Sequence, residues 1–289
     1  MLEGLAVAAM IMAGLGIILS AVLAVANKSL YVFEDPRIDD VEEMLPGANC
    51  GACGYAGCRA FAEALVEGKA QPAQCSVNSP EMTEKIAAYL GVKAGTQVRR
   101  VARLACAGGN NVARRIASYE GVKTCRAAAI VGGGGKACVW GCLGYGDCME
   151  VCDFGAITMN ENDLPVVDED KCTACGACVE ECPRDLFTLL PVNQRLWVAC
   201  KNEAPGDEAE AVCSVACTGC GRCAMDAPNN MISIVNNLAR VDYSKWRPDS
   251  KVAIERCPTG AIVWLDRDVG PVKGTQARRV TRKSSLPVG

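Results

Sequence analysis

The chain has 289 residues, of which 50% are hydrophobic but only 5% aromatic, so a large aromatic core is excluded. It contains 20 Cys and no His, which excludes chemistry that depends on a histidine general base. The net charge of −3 does not favour binding to nucleic acid. The length predicts two or three domains.

The N-terminal segment, residues 5–26, carries no charged side chain. A helix of this length is about 33 Å long, enough to cross a hydrocarbon core of about 30 Å. A cleaved signal peptide is the alternative, but Glu3 and the missing basic residue before the segment argue against it. We therefore predict a transmembrane anchor over residues 1–28. Lys28 and Arg37 follow it, which places the rest of the chain on the cytoplasmic side of the plasma (inner) membrane.

Residues 29–92 are predicted to form a small, mostly helical domain with helices over 41–45, 59–67 and 81–90. Its cysteines follow the pattern C-G-A-C-G-Y-A-G-C with one more Cys downstream: Cys50, Cys53, Cys58 and Cys75. Four thiolates at this spacing can bind one [4Fe–4S] cluster, and the intervening glycines allow the tight backbone that surrounds it.

A connecting segment is expected over residues 93–137. Five of its arginines form either an ordinary solvated face or a basic patch that attracts an acidic redox partner. They are Arg99, Arg100, Arg103, Arg114 and Arg115. Gly132 to Gly135 end the segment and are expected to be a flexible join.

From Cys138 the chain contains two copies of one pattern, a Cys-rich knot, a hairpin and a second knot. The hairpins are predicted over 156–168 and 231–242. This repeat is typical of a two-cluster bacterial ferredoxin. We predict an α+β fold with a two-cluster module over 138–190 and a degenerate one-cluster module over 191–272.

The cysteines of the first copy include the run CTACGACVEECP at residues 172–183. In such runs three Cys bind one cluster and the Cys before Pro binds the other. We expect one cluster on Cys152, Cys172, Cys175 and Cys178. The other cluster is expected on Cys138, Cys142, Cys148 and Cys182. Tyr145 stands where the middle Cys of the first run normally falls, so Cys138 is expected to supply that ligand.

In the second copy Ala227 and Trp246 stand where cysteines stand in the first. Crossed ligation predicts this pattern when a single cluster is lost. The four that remain are expected to share one cluster: Cys217, Cys220, Cys223 and Cys257.

Four cysteines are left over: Cys106, Cys125, Cys200 and Cys213. They could close a further cluster, or they could be buried free thiols. Cys213 could also join the nearby cluster, because it stands where Cys138 does in the first copy. Four clusters are therefore expected, with a fifth left open.

Two other uses of the cysteines are disfavoured. Tandem C-x-x-C pairs favour metal over disulfides. The repeated third Cys and the Cys-Pro ending disfavour structural zinc. No residue is assigned a catalytic role. Gly132 to Gly135 are not followed by the Lys-Ser/Thr of a P-loop, so no nucleotide phosphate site is predicted there. A cluster bound by four Cys transfers single electrons and has no open site for a substrate. The basic tail, 273–289, is expected to be disordered, with attraction to anionic lipid as the alternative.

The membrane span, the C-G-A-C-G-Y-A-G-C domain and the ferredoxin-type repeats together resemble the B subunit of the Rnf complex, the ion-translocating ferredoxin:NAD+ oxidoreductase. The resemblance covers nearly the whole chain and points to the longer form of this family. It implies a protein that takes electrons from reduced ferredoxin and passes them to flavin and iron–sulfur partners in the membrane, coupled to Na+ or H+ transport. A membrane-tethered redox regulator that reduces an iron–sulfur transcription factor is the alternative function.

Overall fold

The computed structural model describes residues 2–30, 34–96 and 98–289. Helix α1, Leu2–Leu30, is a single continuous helix. Its stretch Ala9–Ser29 has a mean hydropathy of 2.5 and none of it is buried against the protein. By length and composition this helix can cross a membrane, as predicted.

The helical domain contains α2 (Arg37–Met44), α3 (Cys58–Val66) and α4 (Pro80–Leu90), which confirms its three predicted helices. Helix α4 has well-defined ends: the Ser79 hydroxyl accepts a hydrogen bond from the Met82 amide, Pro80 begins the helix, and Gly91 ends it at φ 66°. The apolar faces of the helices meet in one core. Its largest buried members are Val41, Phe61, Leu65 and Ile86.

The first ferredoxin-like module begins earlier in the chain than predicted. Its elements are β1 (Arg100–Leu104), α5 (Cys125–Ile130), α6 (Asp147–Glu150), β2 (Ile157–Met159), β3 (Pro165–Val167), α7 (Ala177–Glu181) and β4 (Phe187–Pro191). Strand β1 pairs antiparallel with β4, and β2 pairs with β3 in the predicted hairpin. Most of the segment expected to be a connection is therefore part of the module, because β1 supplies the partner strand that β4 needs.

The basic segment does not form one solvated face. Arg103 is 7% exposed and its guanidinium binds the Glu169 carboxylate, whereas Arg100 and Arg114 are exposed. The expected flexible join is a packed turn. Gly133 and Gly134 are buried, and a Cβ on Gly135 would collide with the Ala117 carbonyl oxygen, so only glycine fits there.

The second module repeats the first. It contains β5 (Leu196–Val198), α8 (Gly206–Val212), α9 (Arg222–Asp226), β6 (Ile232–Val235), β7 (Leu238–Val241), β8 (Ile262–Asp266) and β9 (Gly270–Val272). Strands β6 and β7 form the predicted hairpin, and β5 pairs antiparallel with β8 as β1 does with β4. The modules are joined side by side. The Trp197 indole N–H donates to the Leu104 carbonyl at 2.7 Å, and the Ala107 amide donates to the Ala199 carbonyl at 2.9 Å.

The C-terminal tail was expected to be disordered, and this expectation is wrong. Its backbone lies along the first module. The Leu286 amide donates to the Asn110 carbonyl at 2.9 Å, and the Gly289 amide donates to the Arg115 carbonyl at 3.2 Å. These hydrogen bonds hold the tail to the protein although its sequence has no core-forming pattern.

Candidate iron–sulfur sites

All 20 cysteines lie in the described residues, and each is a free thiol. The structure brings them together in five sets of four. Four of the sets each line a small cavity. The disulfide alternative is therefore not the arrangement of this fold.

Set 1 belongs to the helical domain and consists of Cys50, Cys53, Cys58 and Cys75. Cys75 is buried in the domain core, with Cys53 and Cys58 packed against that core. The loop before α3 is held by Asn49, whose side-chain oxygen accepts from the Cys58 amide at 2.8 Å. Burial raises the pKa of the Cys75 thiol, while hydrogen bonds from the Val77 and Asn78 backbone lower it.

Set 2 consists of Cys152, Cys172, Cys175 and Cys178, the four grouped from the sequence, and they line one cavity. Cys152 follows α6, and Cys178 lies in α7, so the two knots of the first module meet here. Phe154, Ile157 and Leu189 complete the cavity wall. Ala174 adopts φ 57° within the Cys run, which turns the backbone around the cavity.

Set 3 consists of Cys125, Cys142, Cys148 and Cys182. Cys125 is the first residue of α5 and is positioned by a buried carboxylate. Asp147 accepts from the Cys125 amide at 2.8 Å and from the Arg126 amide at 3.1 Å. The Thr124 hydroxyl caps the same helix end. Together these contacts hold α5 against α6 and bring Cys125 to the cavity.

Set 4 lies where the two modules meet and consists of Cys106, Cys138, Cys200 and Cys213. Each module contributes an equivalent pair, one Cys after its first strand (Cys106 and Cys200) and one before its first knot (Cys138 and Cys213). The Asn202 side chain, 1% exposed, donates to the Cys138 Sγ at 3.8 Å. We call these four residues the junction set.

The expected grouping of two cysteines differs from the structure. Cys138 was placed with Cys142, Cys148 and Cys182, and Cys125 with Cys106, Cys200 and Cys213; in the structure they exchange places. The reason is tertiary: Asp147 accepts hydrogen bonds from the first amides of α5 and so places Cys125 beside Cys148, while Cys138 faces the second module. Asp147 and Asn202 were not identified from the sequence, because a single Asp before a Cys or a single Asn after a Cys carries no recognisable pattern.

Set 5 consists of Cys217, Cys220, Cys223 and Cys257, which line one cavity in the second module as grouped from the sequence. The place of the missing second cluster is filled by apolar side chains. Met231, Ala253 and Ile254 are fully buried there, together with Ala227. The side chains that replaced the cysteines thus belong to a packed hydrophobic core.

Sets 2 to 5 form a row. Sets 2 and 3 share a buried core that contains Cys148 and Cys178. Set 3 reaches the junction set where the Cys142 amide donates to the Cys106 Sγ at 3.4 Å, and the junction set reaches set 5 where the Cys217 amide donates to the Cys200 Sγ at 3.3 Å. The two contacts are equivalent in the two modules.

Further backbone N–H groups donate hydrogen bonds to Cys106 and Cys200, and one donates to Cys152. The Gly108 amide donates to Cys106 and the Asn202 amide donates to Cys200, both at 3.4 Å, and the Ala156 amide donates to Cys152 at 3.4 Å. Hydrogen bonds of this kind stabilise anionic sulfur and tune the potential of a bound cluster.

Burial makes the thiolate forms unfavourable by themselves. Desolvation raises the pKa of four thiols, one from each of sets 2 to 5, to about 12: Cys148, Cys178, Cys200 and Cys223. The pKa of Cys213 rises to about 11 for the same reason. Such thiols become thiolates when a positively charged group binds them and displaces their protons.

The five sets differ from sites for a single metal ion. In the described part of the chain, no three Cys, Asp or Glu side chains are arranged to hold one such ion. Instead, each of sets 2 to 5 places four thiols around one cavity, with mainly apolar walls and backbone N–H donors nearby. This donor set fits a [4Fe–4S] cluster.

Two stretches of the chain match models of iron–sulfur families. Residues 45–77 match a family model described as "Putative Fe-S cluster", and residues 165–188 match a model described as "4Fe-4S binding domain". The chain is 44% identical over 262 residues to the B subunit of the Na+-translocating ferredoxin:NAD+ oxidoreductase complex of Acetobacterium woodii, a match that covers 91% of this chain and 78% of that protein.

Two further relatives are similar over most of their length. The B subunit of the ion-translocating oxidoreductase complex of Methanosarcina acetivorans is 38% identical, covering 87% of this chain and 95% of that protein. The B subunit of the proton-translocating ferredoxin:NAD+ oxidoreductase complex of Clostridium ljungdahlii is 41% identical, covering 87% of this chain and 89% of that protein.

Proposed function

Because the chain belongs to the family of B subunits of ion-translocating ferredoxin:NAD+ oxidoreductases, the Rnf complexes, we propose that it is the membrane-anchored iron–sulfur electron carrier of such a complex. In this role it takes electrons from reduced ferredoxin and passes them to flavin and iron–sulfur proteins in the membrane. The complex couples this transfer to outward movement of Na+ or H+.

The observation that carries the proposal is that all 20 cysteines divide into five sets of four. We propose that each set holds one [4Fe–4S] cluster, five in total. Four were expected from the sequence, and the fifth is supported by the cavity that the junction set lines. Bound clusters of this kind supply one-electron transfer without making or breaking bonds to a substrate.

The chain's own residues have three roles at these sites. The cysteines would hold the clusters, the backbone N–H groups of Gly108, Asn202 and Ala156 would donate to the ligand sulfurs, and the apolar walls would exclude water. The row of sets 2, 3, 4 and 5 gives electrons a path through both modules. The junction set lies inside this row, so it connects the two modules.

Helix α1 supports the membrane location, and we propose that residues 34–289 lie on the cytoplasmic side. Lys28 is in the last turn of α1 and Arg37 follows shortly after, which is the charge bias of a cytoplasmic flank. This side is also where a soluble reduced ferredoxin is available.

The test is an anaerobic purification of the full-length chain from membranes, followed by iron and sulfide quantification and by EPR during a redox titration. We expect about 20 iron and about 20 sulfide per chain and brown absorbance. A colourless protein, or one that contains zinc in place of iron, would contradict the proposal. A chain with about 16 iron would contradict the fifth cluster alone.

A further inference from the structure

A cleft lined by arginines lies beneath the C-terminal tail. One wall is formed by tail residues 278–282, 286, 287 and 289, and the other by residues 111, 112 and 114 with residues 210–214 at the end of α8. We call it the tail cleft. Both walls are positioned by hydrogen bonds to the backbone, since the Arg114 amide donates to the Val212 carbonyl at 2.9 Å and the Asn111 side chain donates to the Arg282 carbonyl at 3.0 Å.

The tail cleft is strongly basic on an otherwise acidic chain. Residues 269–289 contain five Lys or Arg and no Asp or Glu, whereas the whole chain has a net charge of −3. Arg114, Arg279 and Arg282 are exposed at the cleft. Among the described residues that line it, Glu210 has the one acidic side chain, and it is neutralised by Arg278 at 2.6 Å.

The tail cleft also reaches a redox site. Cys213 lines both the tail cleft and the cavity of the junction set. Its side chain is buried, at 7% exposed, so the sulfur is shielded from water but lies directly behind the cleft wall. An electron donor seated in the cleft would therefore lie beside a member of the junction set.

We propose that the tail cleft is the docking site for an acidic electron-carrier protein. This inference rests on the proposed function and specifies where its electron donor binds. The carrier's carboxylates would face Arg114, Arg279 and Arg282, and the complementary charge would raise the rate of encounter. The reduced carrier loses one electron, the group held by the junction set gains it, and no proton or covalent bond is transferred.

A protein carrier fits the cleft better than a membrane surface. Anionic lipid headgroups would satisfy the arginines, but they exchange no electrons and give no reason for Cys213 to line the same cleft. The position beside the junction set also fits an entry point, because sets 3 and 5 lie on either side of it.

The test uses the full-length chain in its intact complex, in neutral phosphatidylcholine vesicles, with a purified acidic two-cluster ferredoxin as the probe. The variant combines Arg279→Gln and Arg282→Gln, which keeps the hydrogen bonds that the backbone of Arg282, Leu286 and Gly289 makes to the first module. Its matched control combines Lys85→Gln and Lys93→Gln, two exposed lysines in and directly after the helical domain, with the same charge change. We measure the Kd of oxidised ferredoxin and the KM for reduced ferredoxin at several salt concentrations.

We expect the tail variant to raise Kd and KM about tenfold at low salt, with kcat retained and a weaker salt dependence, while the control behaves as the unmodified chain. Arg114→Gln should act in the same direction from the opposite wall. Equal Kd values for the tail variant and the control would overturn the docking site. An effect that appears only in vesicles containing phosphatidylglycerol would also overturn it, because the arginines would then contact lipid.

Failure of the docking site and failure of the proposed function give different results. Iron content and reduction by dithionite are measured on the same preparations. A chain that holds its clusters and is reduced by dithionite, but shows equal ferredoxin affinity in variant and control, refutes only the docking site. A chain without iron refutes the proposed function itself.

Discussion

The exchange of Cys125 and Cys138 between sets 3 and 4 can be tested by paired substitutions. Each single change, Cys138→Ala, Cys200→Ala or Cys148→Ala, should remove one cluster, about four of about 20 iron atoms. Pairs distinguish the groupings because two substitutions in one set remove the same cluster once. The structure places Cys138 with Cys200 and apart from Cys148.

The double variant Cys138→Ala with Cys200→Ala should therefore lose about four iron atoms, no more than either single variant. Cys138→Ala with Cys148→Ala should lose about eight. The grouping expected from the sequence gives about four for the second pair, and about eight for the first pair if the four left-over cysteines bind a fifth cluster. Iron and sulfide analysis with EPR spin quantification measures the losses, and the reversed result would refute the structural grouping.

Three other outcomes are expected. Asp147→Ala leaves the buried Cys125 amide and the part-buried Arg126 amide without their acceptor, at a cost of about 1–3 kcal/mol for the buried one. The holoprotein should therefore lose the set 3 cluster on mild chelation, whereas Glu150→Ala on the exposed side of α6 should retain it. Ile86 is fully buried, so Ile86→Ala should destabilise the helical domain by about 2–5 kcal/mol. The loss is measured as reduced hydrogen-exchange protection in residues 37–92, and unchanged protection would contradict the packing of α4. Removing residues 1–28 should release a soluble, iron-containing protein, and continued membrane binding would reveal a second contact surface.

The local elements of the fold were predictable because their signals are local. The hairpins follow from alternating apolar residues and turn residues within about a dozen positions, and α3 and α4 follow from helical periodicity. Strand β1 was missed because its partner β4 is distant in sequence: Leu104 pairs with Phe187. Its arginines resembled a solvated segment, yet Arg103 is buried against Glu169.

The positions of the cysteines along the sequence were enough to identify the iron–sulfur pattern. Spacing grouped three sulfurs in each of sets 1, 2 and 5, because the backbone between them is short enough for all three to reach one cluster. The crossed-ligand rule added Cys152 to set 2 and Cys257 to set 5. The same reasoning interpreted Ala227 and Trp246 as the loss of one cluster, and the structure shows those positions beside a hydrophobic core.

The tertiary structure decided what spacing could not, namely which module each remaining cysteine faces. Cys125 and Cys138 lie on segments whose direction depends on the docking of α5 onto α6 and of one module onto the other. These contacts are made by Asp147, Asn202 and Trp197 with partners far along the chain. A sulfur's neighbours are fixed by such long-range packing, and for that reason the junction set became visible only in the folded molecule.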